Sequence, residues 1–303
     1  NIAMGGTPAE AWVRRGALAS HPQLAAMTRG NWLDNKSLEP WCRGRGASNL
    51  KRALAANDFI PGDDLGPNHS FKPSFMWAAA VAPLTQMPIA GVLWYQGESN
   101  AESEWRVAQH DSVLKTLITD WRAQWKRPDL PFLFVQLPAM KRPHWPAFRA
   151  SQQRVHDALP YTGMAVTIDL GHPTDVHPRD KKPVGERLAL IAAKQVYGKT
   201  VVAFGPVVKS VSRDEDRLIV KFESADGLRT RDGKSPTGFE IRDGKEEWHA
   251  VNARIVDGVL ELNCGTTKKP AAVRYGWVSF PEPRLNLINV AGLPAAPFSR
   301  DVD

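Results

Sequence analysis

The chain has 303 residues, of which 43% are hydrophobic and 23% charged, as is usual for a globular protein with a sizeable core. Its formal net charge of +7 is spread along the sequence without a long basic run or a nucleic-acid-binding motif, so nucleic acid is not a predicted partner. No stretch reaches the roughly 18 consecutive apolar residues that predict a membrane-spanning helix. The two cysteines, Cys42 and Cys264, do not predict a metal site, and a disulfide between them stays open.

The amino-terminal residues predict part of a βα unit. Residues 1–7 are typical of a strand end followed by a glycine turn, and Thr7 is expected to cap a helix over residues 8–19. The backbone N–H groups of Gly5 and Gly6 would suit an anion or an oxyanion, although ordinary turn formation explains two glycines equally well. A sequence that starts inside such a unit is expected to be the remainder of a longer polypeptide.

The next segments lead to the predicted centre of the site. Residues 30–72 lack clear periodicity, which predicts a long functional insertion or lid, and residues 73–86 have helical spacing. Residues 89–95 are an apolar run typical of a buried strand, which ends in the polar residues 96–100 (Gln-Gly-Glu-Ser-Asn). Open α/β sheets bind ligands at such strand ends, although a plain polar loop with a helix cap is the alternative.

The remaining pattern predicts an α/β domain followed by a β-rich module. Helices are predicted over residues 102–126, 146–159 and 182–197, and strands over residues 131–138 and 164–170. This alternation indicates a parallel, doubly wound sheet. Short alternating runs with Asp-Gly and Gly-Lys turns then predict hairpins. We therefore expect two domains, residues 1–200 and residues 201–303.

An Asp-x-His pair, Asp175 and His177, follows the last predicted strand of the first domain. A carboxylate beside an imidazole fixes its tautomer and stabilises the imidazolium that forms when the histidine acts as a base. A capping aspartate beside a surface histidine is the ordinary alternative. A metal site that also includes His172 is a weaker one, because no fourth ligand has a recognisable spacing.

Three separated motifs resemble the sialate O-acetylesterase family of SGNH-type hydrolases. They are Met-Gly-Gly-Thr-Pro-Ala-Glu-Ala-Trp at residues 4–12, Trp-Tyr-Gln-Gly-Glu-Ser-Asn at 94–100, and Asp-Val-His-Pro-Arg-Asp-Lys at 175–181 with Val-Gly-Glu-Arg-Leu-Ala at 184–189. The resemblance implies a flavodoxin-like parallel sheet with helices on both faces. It also implies an enzyme without a metal or other cofactor that removes acetyl groups from sugar hydroxyls. O-acetylated sialic acids are the first expected substrates, and an extracytoplasmic compartment is the expected location.

The same resemblance assigns the acid–base residues. His177 would be the general base and later the acid that protonates the leaving sugar oxygen. Asp175 would orient its other ring nitrogen. Because SGNH-type enzymes commonly space acid and base three apart, and position 174 is threonine, Asp169 is the fallback.

The oxyanion hole and substrate-binding residues follow from the other two motifs. Gly5 and Gly6 would contribute backbone N–H groups. The polar segment would contribute a side-chain amide, from Gln96 first and Asn100 second, and Glu98 lies between them.

One motif of the family does not occur in this sequence: the Gly-Gln-Ser-Asn block that holds the nucleophilic serine. The main expectation is that a missing segment or a second chain supplies the first strand and this serine. A rival nucleophile is Ser99, which lies at a strand-to-helix turn like a nucleophile elbow, with Ala101 in place of the second glycine. Such an enzyme would act on another acetylated glycan such as xylan. A non-catalytic carbohydrate-binding remnant is the third possibility.

Overall fold

The structure, a computed structural model, describes residues 1–244, 247–265, 267 and 269–302. The chain divides into two units, one made of Asn1–Phe132 and Ser151–Gly163, the other of Leu133–Ala150 and Met164–Asp303. The domain boundary expected near residue 200 stays a prediction. No helix in the described part of the chain is both long and apolar enough to cross a bilayer.

The first helix is interrupted, contrary to the prediction. A 3₁₀ helix (Ala9–Trp12) is followed by extended backbone and then by α1 (Arg15–Ser20). The extended step buries Val13 completely. Thr7 is not the helix cap, because its hydroxyl donates to the carbonyl of Met4 (2.9 Å) and accepts from the indole N–H of Trp12 (2.8 Å).

The predicted insertion contains regular structure that sequence periodicity does not reveal. A second 3₁₀ helix (Ala25–Thr28) is followed by α2 (Pro40–Ala55) and a short antiparallel ribbon of β1 (Gly62–Asp63) and β2 (Gly66–Pro67). The buried residues of α2 are Cys42 and Gly46, so the helix packs through small residues instead of an apolar stripe. Residues 30–72 are thus not a plain loop, and their interpretation as a functional insertion or lid stays a prediction.

The helix predicted over residues 73–86 is also irregular. It consists of a π-helical turn (Trp77–Val81) and a 3₁₀ turn (Ala82–Leu84). Pro83 lies in this stretch and has no N–H to continue a helical hydrogen-bond ladder, which accounts for the break.

The α/β fold with a parallel sheet is confirmed. The sheet has the strand order β3-β4-β5, and the helices follow its strands in sequence. In chain order the elements are β3 (Val92–Trp94), a 3₁₀ turn (Glu98–Asn100), α3 (Glu104–Gln124), β4 (Phe132–Val135), α4 (Trp145–Ala158), β5 (Thr162–Ala165) and α5 (Lys182–Gln195). In the first unit α3 buries an apolar stripe whose Trp121 contacts Trp94 edge-on, with ring centroids 6.0 Å apart. The helix predicted over residues 102–126 is thus observed, and its apolar stripe has the helical period.

The carboxyl-terminal part is β-rich, as predicted. Two four-stranded antiparallel sheets have the orders β11-β12-β7-β6 and β10-β9-β13-β15, and β14 pairs with β8. The strands are β6 (Val207–Asp214), β7 (Arg217–Glu223), β8 (Arg229–Thr230), β9 (Phe239–Arg242), β10 (Trp248–Ala250), β11 (Ala253–Val256), β12 (Val259–Asn263), β13 (Ala272–Tyr275), β14 (Leu287–Ile288) and β15 (Phe298–Asp301). Leu218, Leu260 and Tyr275 belong to their common core. Alternating burial along β7 and β12 shows why the period-two pattern identified these strands.

The two cysteines do not form a disulfide. Cys42 and Cys264 are both free and buried. Burial raises the pKa of each thiol, so both are held in the unreactive protonated form.

Candidate active site

The two predicted oxyanion segments meet in the first unit. We call Gly5 and Gly6 the glycine turn and residues 96–100 the polar loop. Ser99 Oγ donates to the carbonyl oxygen of Gly6 at 2.7 Å, and Gln96 Nε2 donates to the carbonyl oxygen of Thr7 at 3.1 Å. Side chains of the polar loop thus hold the backbone on which the glycine turn is built.

Asn100 reinforces this junction from a fully buried position. Its Oδ1 accepts from the N–H of Ala9 (2.8 Å) and from Gln96 Nε2 (2.7 Å). Its Nδ2 donates to a carboxylate oxygen of Glu10 at 2.9 Å, and the other oxygen of Glu10 pairs with Arg106 at 2.6 Å. Sequence reasoning included Glu10 only within the motif at residues 4–12 and missed Arg106, since nothing in the spacing links residues so far apart.

The predicted oxyanion donors differ in how exposed they are and in how many hydrogen bonds they already make. Gln96 Nε2 already donates two hydrogen bonds, whereas Gly5 and Gly6 are exposed. Gly6 has φ of +74°, a conformation that glycine adopts without strain. Of the two predicted sources of oxyanion donors in this unit, the glycine turn is thus the more accessible one.

One side chain of the polar loop lacks a hydrogen-bond donor for its oxygen among the described residues, and the residue just before the loop has a shifted pKa. Gln96 Oε1 is buried and accepts no hydrogen bond from the residues that the structure describes. Burial, and secondarily the nearby carboxylate of Glu98, raises the pKa of Tyr95, which keeps the phenol protonated. Glu98 itself is half-buried.

His177 and Asp175 belong to the second unit. The ring of His177 is 83% exposed, and its Nδ1 lies 4.0 Å from Asp175 Oδ1, too far for a hydrogen bond. The same oxygen accepts the backbone N–H of His177 at 2.8 Å. His172 Nδ1 accepts the N–H of Asp175 at 2.9 Å, so these three residues form a tight turn. Within the described residues, no group of three or more acidic, histidine or cysteine side chains could hold a metal ion.

The fallback acid, Asp169, is already bound by two arginines. Its buried carboxylate makes a two-pronged ion pair with Arg187, with both distances 2.7 Å, and also contacts Arg231 at 2.9 Å. These three charge-assisted hydrogen bonds use most of the acceptor capacity of the carboxylate. The assignment of Asp175 as the partner of His177, with Asp169 as the fallback, stays a prediction.

The turn that carries His177 starts from a closely fitted backbone. Gly171 bridges to Ala139, and a Cβ on Gly171 would lie 2.1 Å from the carbonyl oxygen of Ala139. Arg284, which comes from the β-rich part, donates to the carbonyl oxygens of Leu170 (3.0 Å) and Gly171 (2.9 Å). Sequence reasoning missed Arg284, because a guanidinium that binds carbonyl groups leaves no motif.

The predicted residues are thus found in two groups. Gly5, Gly6, Gln96, Glu98 and Asn100 belong to the first unit, and Asp175 and His177 to the second. Their catalytic roles stay predictions.

Comparison with known proteins gives one family. Residues 71–194 match the family described as carbohydrate esterase, sialic acid-specific acetylesterase. This range includes the polar loop and His177, and the glycine turn lies outside it. The sialate O-acetylesterase of Rattus norvegicus is 30% identical over 315 aligned residues, covering 91% of this chain and 54% of that protein. The human protein of the same name is 28% identical, covering 80% of this chain and 50% of that protein.

A solved structure is similar over almost the entire chain. The crystal structure of a carbohydrate acetylesterase from Xanthomonas citri has a TM-score of 0.75 and 32% sequence identity, covering 98% of this chain and 59% of that one. The chain therefore spans about half the length of the relatives that it matches.

Proposed function

Because the chain belongs to the sialate O-acetylesterase family, we propose that it supplies part of the active site of an enzyme that hydrolyses acetyl esters on sugar hydroxyl groups. The observation that carries this proposal is the hydrogen bonding between the glycine turn and the polar loop. These are the two segments from which the family resemblance predicts oxyanion donors. Their meeting in one place supports a shared role in stabilising developing negative charge.

In the proposed reaction, a serine hydroxyl attacks the acetyl carbonyl carbon and His177 accepts the hydroxyl proton. The negative charge that develops on the carbonyl oxygen is stabilised by the N–H groups of Gly5 and Gly6. The ester C–O bond then breaks, and His177 returns the proton to the departing sugar oxygen. Water, activated by the same imidazole, attacks the acetyl-serine and releases acetate.

We propose that the nucleophilic serine lies outside these 303 residues, on a further segment or a second chain. The Gly-Gln-Ser-Asn block does not occur in the sequence, and the matched relatives are about twice as long. Ser99 is a poor substitute, because its buried hydroxyl donates to the carbonyl of Gly6. The unsatisfied Gln96 Oε1 supports the same view, since buried acceptors normally have a donor.

We further propose O-acetylated sialic acids as the substrates, in an extracytoplasmic compartment. The named relatives from rat and human support this choice, and a net charge of +7 suits a substrate that carries a carboxylate. Acetate release from O-acetylated N-acetylneuraminic acid and from acetylated xylan, compared under the same conditions, tests the assignment. Faster turnover of acetylated xylan would contradict it.

The location of the serine is tested with a serine-directed organophosphorus probe and peptide mapping of the purified protein. Label on a serine outside these 303 residues is the expected result. Label on Ser99 would make this chain a complete hydrolase and overturn that part of the proposal. If no serine is labelled and no acetate is released, while sialic acid still binds, the chain is a carbohydrate-binding remnant.

A further inference from the structure

Trp41 lies directly beside the glycine turn. A Cβ placed on Gly6 would lie 3.4 Å from Cη2 of Trp41 and 3.2 Å from Cζ of Phe71. The rings of Trp41 and Phe71 pack together, with centroids 5.8 Å apart and planes tilted by 30°. Trp41 is nevertheless 45% exposed, more than any other tryptophan of the chain. A large aromatic surface is therefore available next to the predicted oxyanion donors.

The position of Trp41 is fixed by the packing of α2. Pro40 occupies the first turn of the helix, and Cys42, the residue after Trp41, is buried. One helical turn further on, Gly46 contacts Trp32 so closely that a Cβ would lie 2.1 Å from the indole. Because the start of α2 is anchored in this way, the indole of Trp41 is held in place at little further cost in conformational entropy.

A second contact fixes the same end of the helix. The carboxylate of Glu39, which is buried, accepts a hydrogen bond from Ser103 Oγ at 2.6 Å. Ser103 immediately precedes α3, the helix that follows the polar loop. Trp41 and the polar loop are thus built on connected parts of the first unit.

We propose that Trp41 is the platform on which the sugar ring of the substrate stacks. This inference rests on the proposed function, since it assigns the binding subsite for the alcohol part of the acetyl ester. The apolar C–H face of a pyranose would lie on the exposed indole, a contact of the kind that orients ligands in aromatic-lined sites. The acetyl carbonyl is joined to the sugar only through the ester linkage. A ring on Trp41 therefore places that carbonyl near the N–H groups of Gly5 and Gly6.

The test is a calorimetric titration of the chain with N-acetylneuraminic acid, the product, which binds without being turned over. Trp41→Ala is expected to raise Kd about five- to tenfold, the usual worth of an aromatic contact, whereas Trp41→Phe stays within about twofold. Trp41→Leu retains apolar contact with Phe71 but has no aromatic face, so it should behave like the alanine variant. Phe59→Ala, which removes an aromatic side chain that is 90% exposed, is the matched control and should leave Kd unchanged.

Three results would overturn the assignment. They are no binding of the sugar by the unaltered chain, an unchanged Kd in Trp41→Ala, and an equal loss in Phe59→Ala. Circular dichroism identifies any variant that fails to fold. If Trp41→Ala does not fold, the Kd of Trp41→Leu tests the assignment in its place. Acetate release by the complete enzyme separates this inference from the proposed function. Sugar binding that depends on Trp41 without acetate release would refute the esterase alone, and release unaffected by Trp41→Ala would refute the platform alone.

Discussion

Ser99 donates its hydroxyl hydrogen to the backbone carbonyl of Gly6, which lies 93 residues earlier in the chain. Ser99→Ala removes this donor and leaves a carbonyl without its partner. We expect the free energy of unfolding to fall by about 1 kcal/mol and acetate release to fall less than about tenfold. Urea denaturation and an acetate assay measure the two effects. Complete loss of activity in a folded variant would identify Ser99 as the nucleophile.

His177→Ala is expected to abolish acetate release while leaving stability unchanged. The imidazole is exposed, so its removal costs little packing. Asp175→Asn should lose less, because the carboxylate lies 4.0 Å from the ring and acts on it indirectly. A His177→Ala variant with most of its turnover would remove the histidine from the mechanism, and an unaffected Asp175→Asn variant would return Asp169 to consideration.

Glu10→Gln breaks a fully buried ion pair with Arg106. An uncompensated guanidinium in the interior is costly, so we expect the free energy of unfolding to fall by about 3–5 kcal/mol. The control is Asp64→Asn, which breaks the exposed ion pair with Arg15 and should leave the free energy of unfolding almost unchanged, because water screens the two charges. Equal losses in the free energy of unfolding, measured by chemical denaturation, would show that the buried ion pair contributes no more to stability than the exposed one.

Gly46→Ala and Gly44→Ala form a matched pair on α2. A Cβ on Gly46 would overlap Trp32, whereas a Cβ on Gly44 would have nothing within 4 Å. We expect Gly46→Ala to destabilise the fold by about 1–3 kcal/mol and Gly44→Ala to stabilise it by up to about 1 kcal/mol. Thermal unfolding gives the sign of each change. Stabilisation by both would mean that Trp32 moves aside without cost.

His110 makes stability dependent on acidity. Burial, then the positive charges of Arg106 and Arg154, lowers the pKa of His110 to about 3. The unfolded chain titrates near pH 6.5, so it binds more protons than the folded chain between these values and stability falls as the pH is lowered through this window. Between pH 7 and pH 5 the expected loss from this residue is up to about 2 kcal/mol. Denaturation of His110→Gln should show a correspondingly shallower pH dependence.

The helices and strands with regular periods were predictable, and those built on single close contacts were not. Helix α3 buries an apolar stripe that includes Leu117 and Trp121, and its period is visible in the sequence. Helix α2 packs through Gly46, where the informative property is the lack of a side chain, and no hydrophobicity pattern records that. The elements with a regular period were enough to predict the fold class. Helix α2 was missed because it packs through single close contacts.

The candidate site also has features that the sequence reveals and contacts that it does not. The abrupt change from the apolar β3 to the polar loop is visible in the sequence, and it led us to expect a ligand site there, because strand ends of parallel sheets form such sites. The bonds of Asn100 to Ala9 and Glu10 could not be predicted, since they join distant residues through specific angles and distances. For the same reason the exposed position of Trp41 beside Gly6 becomes visible only in three dimensions.

The close approach of Gly171 to Ala139 has a practical consequence for engineering. A loop that replaces the segment carrying His177 must have glycine at position 171, because a larger residue there would push the backbone away from Ala139. Pro173 also belongs to that junction, because its carbonyl oxygen accepts the backbone N–H of Lys141 at 3.0 Å. Directed evolution of the His177 segment should therefore hold Gly171 and Pro173 constant and vary the residues from Thr174 onward.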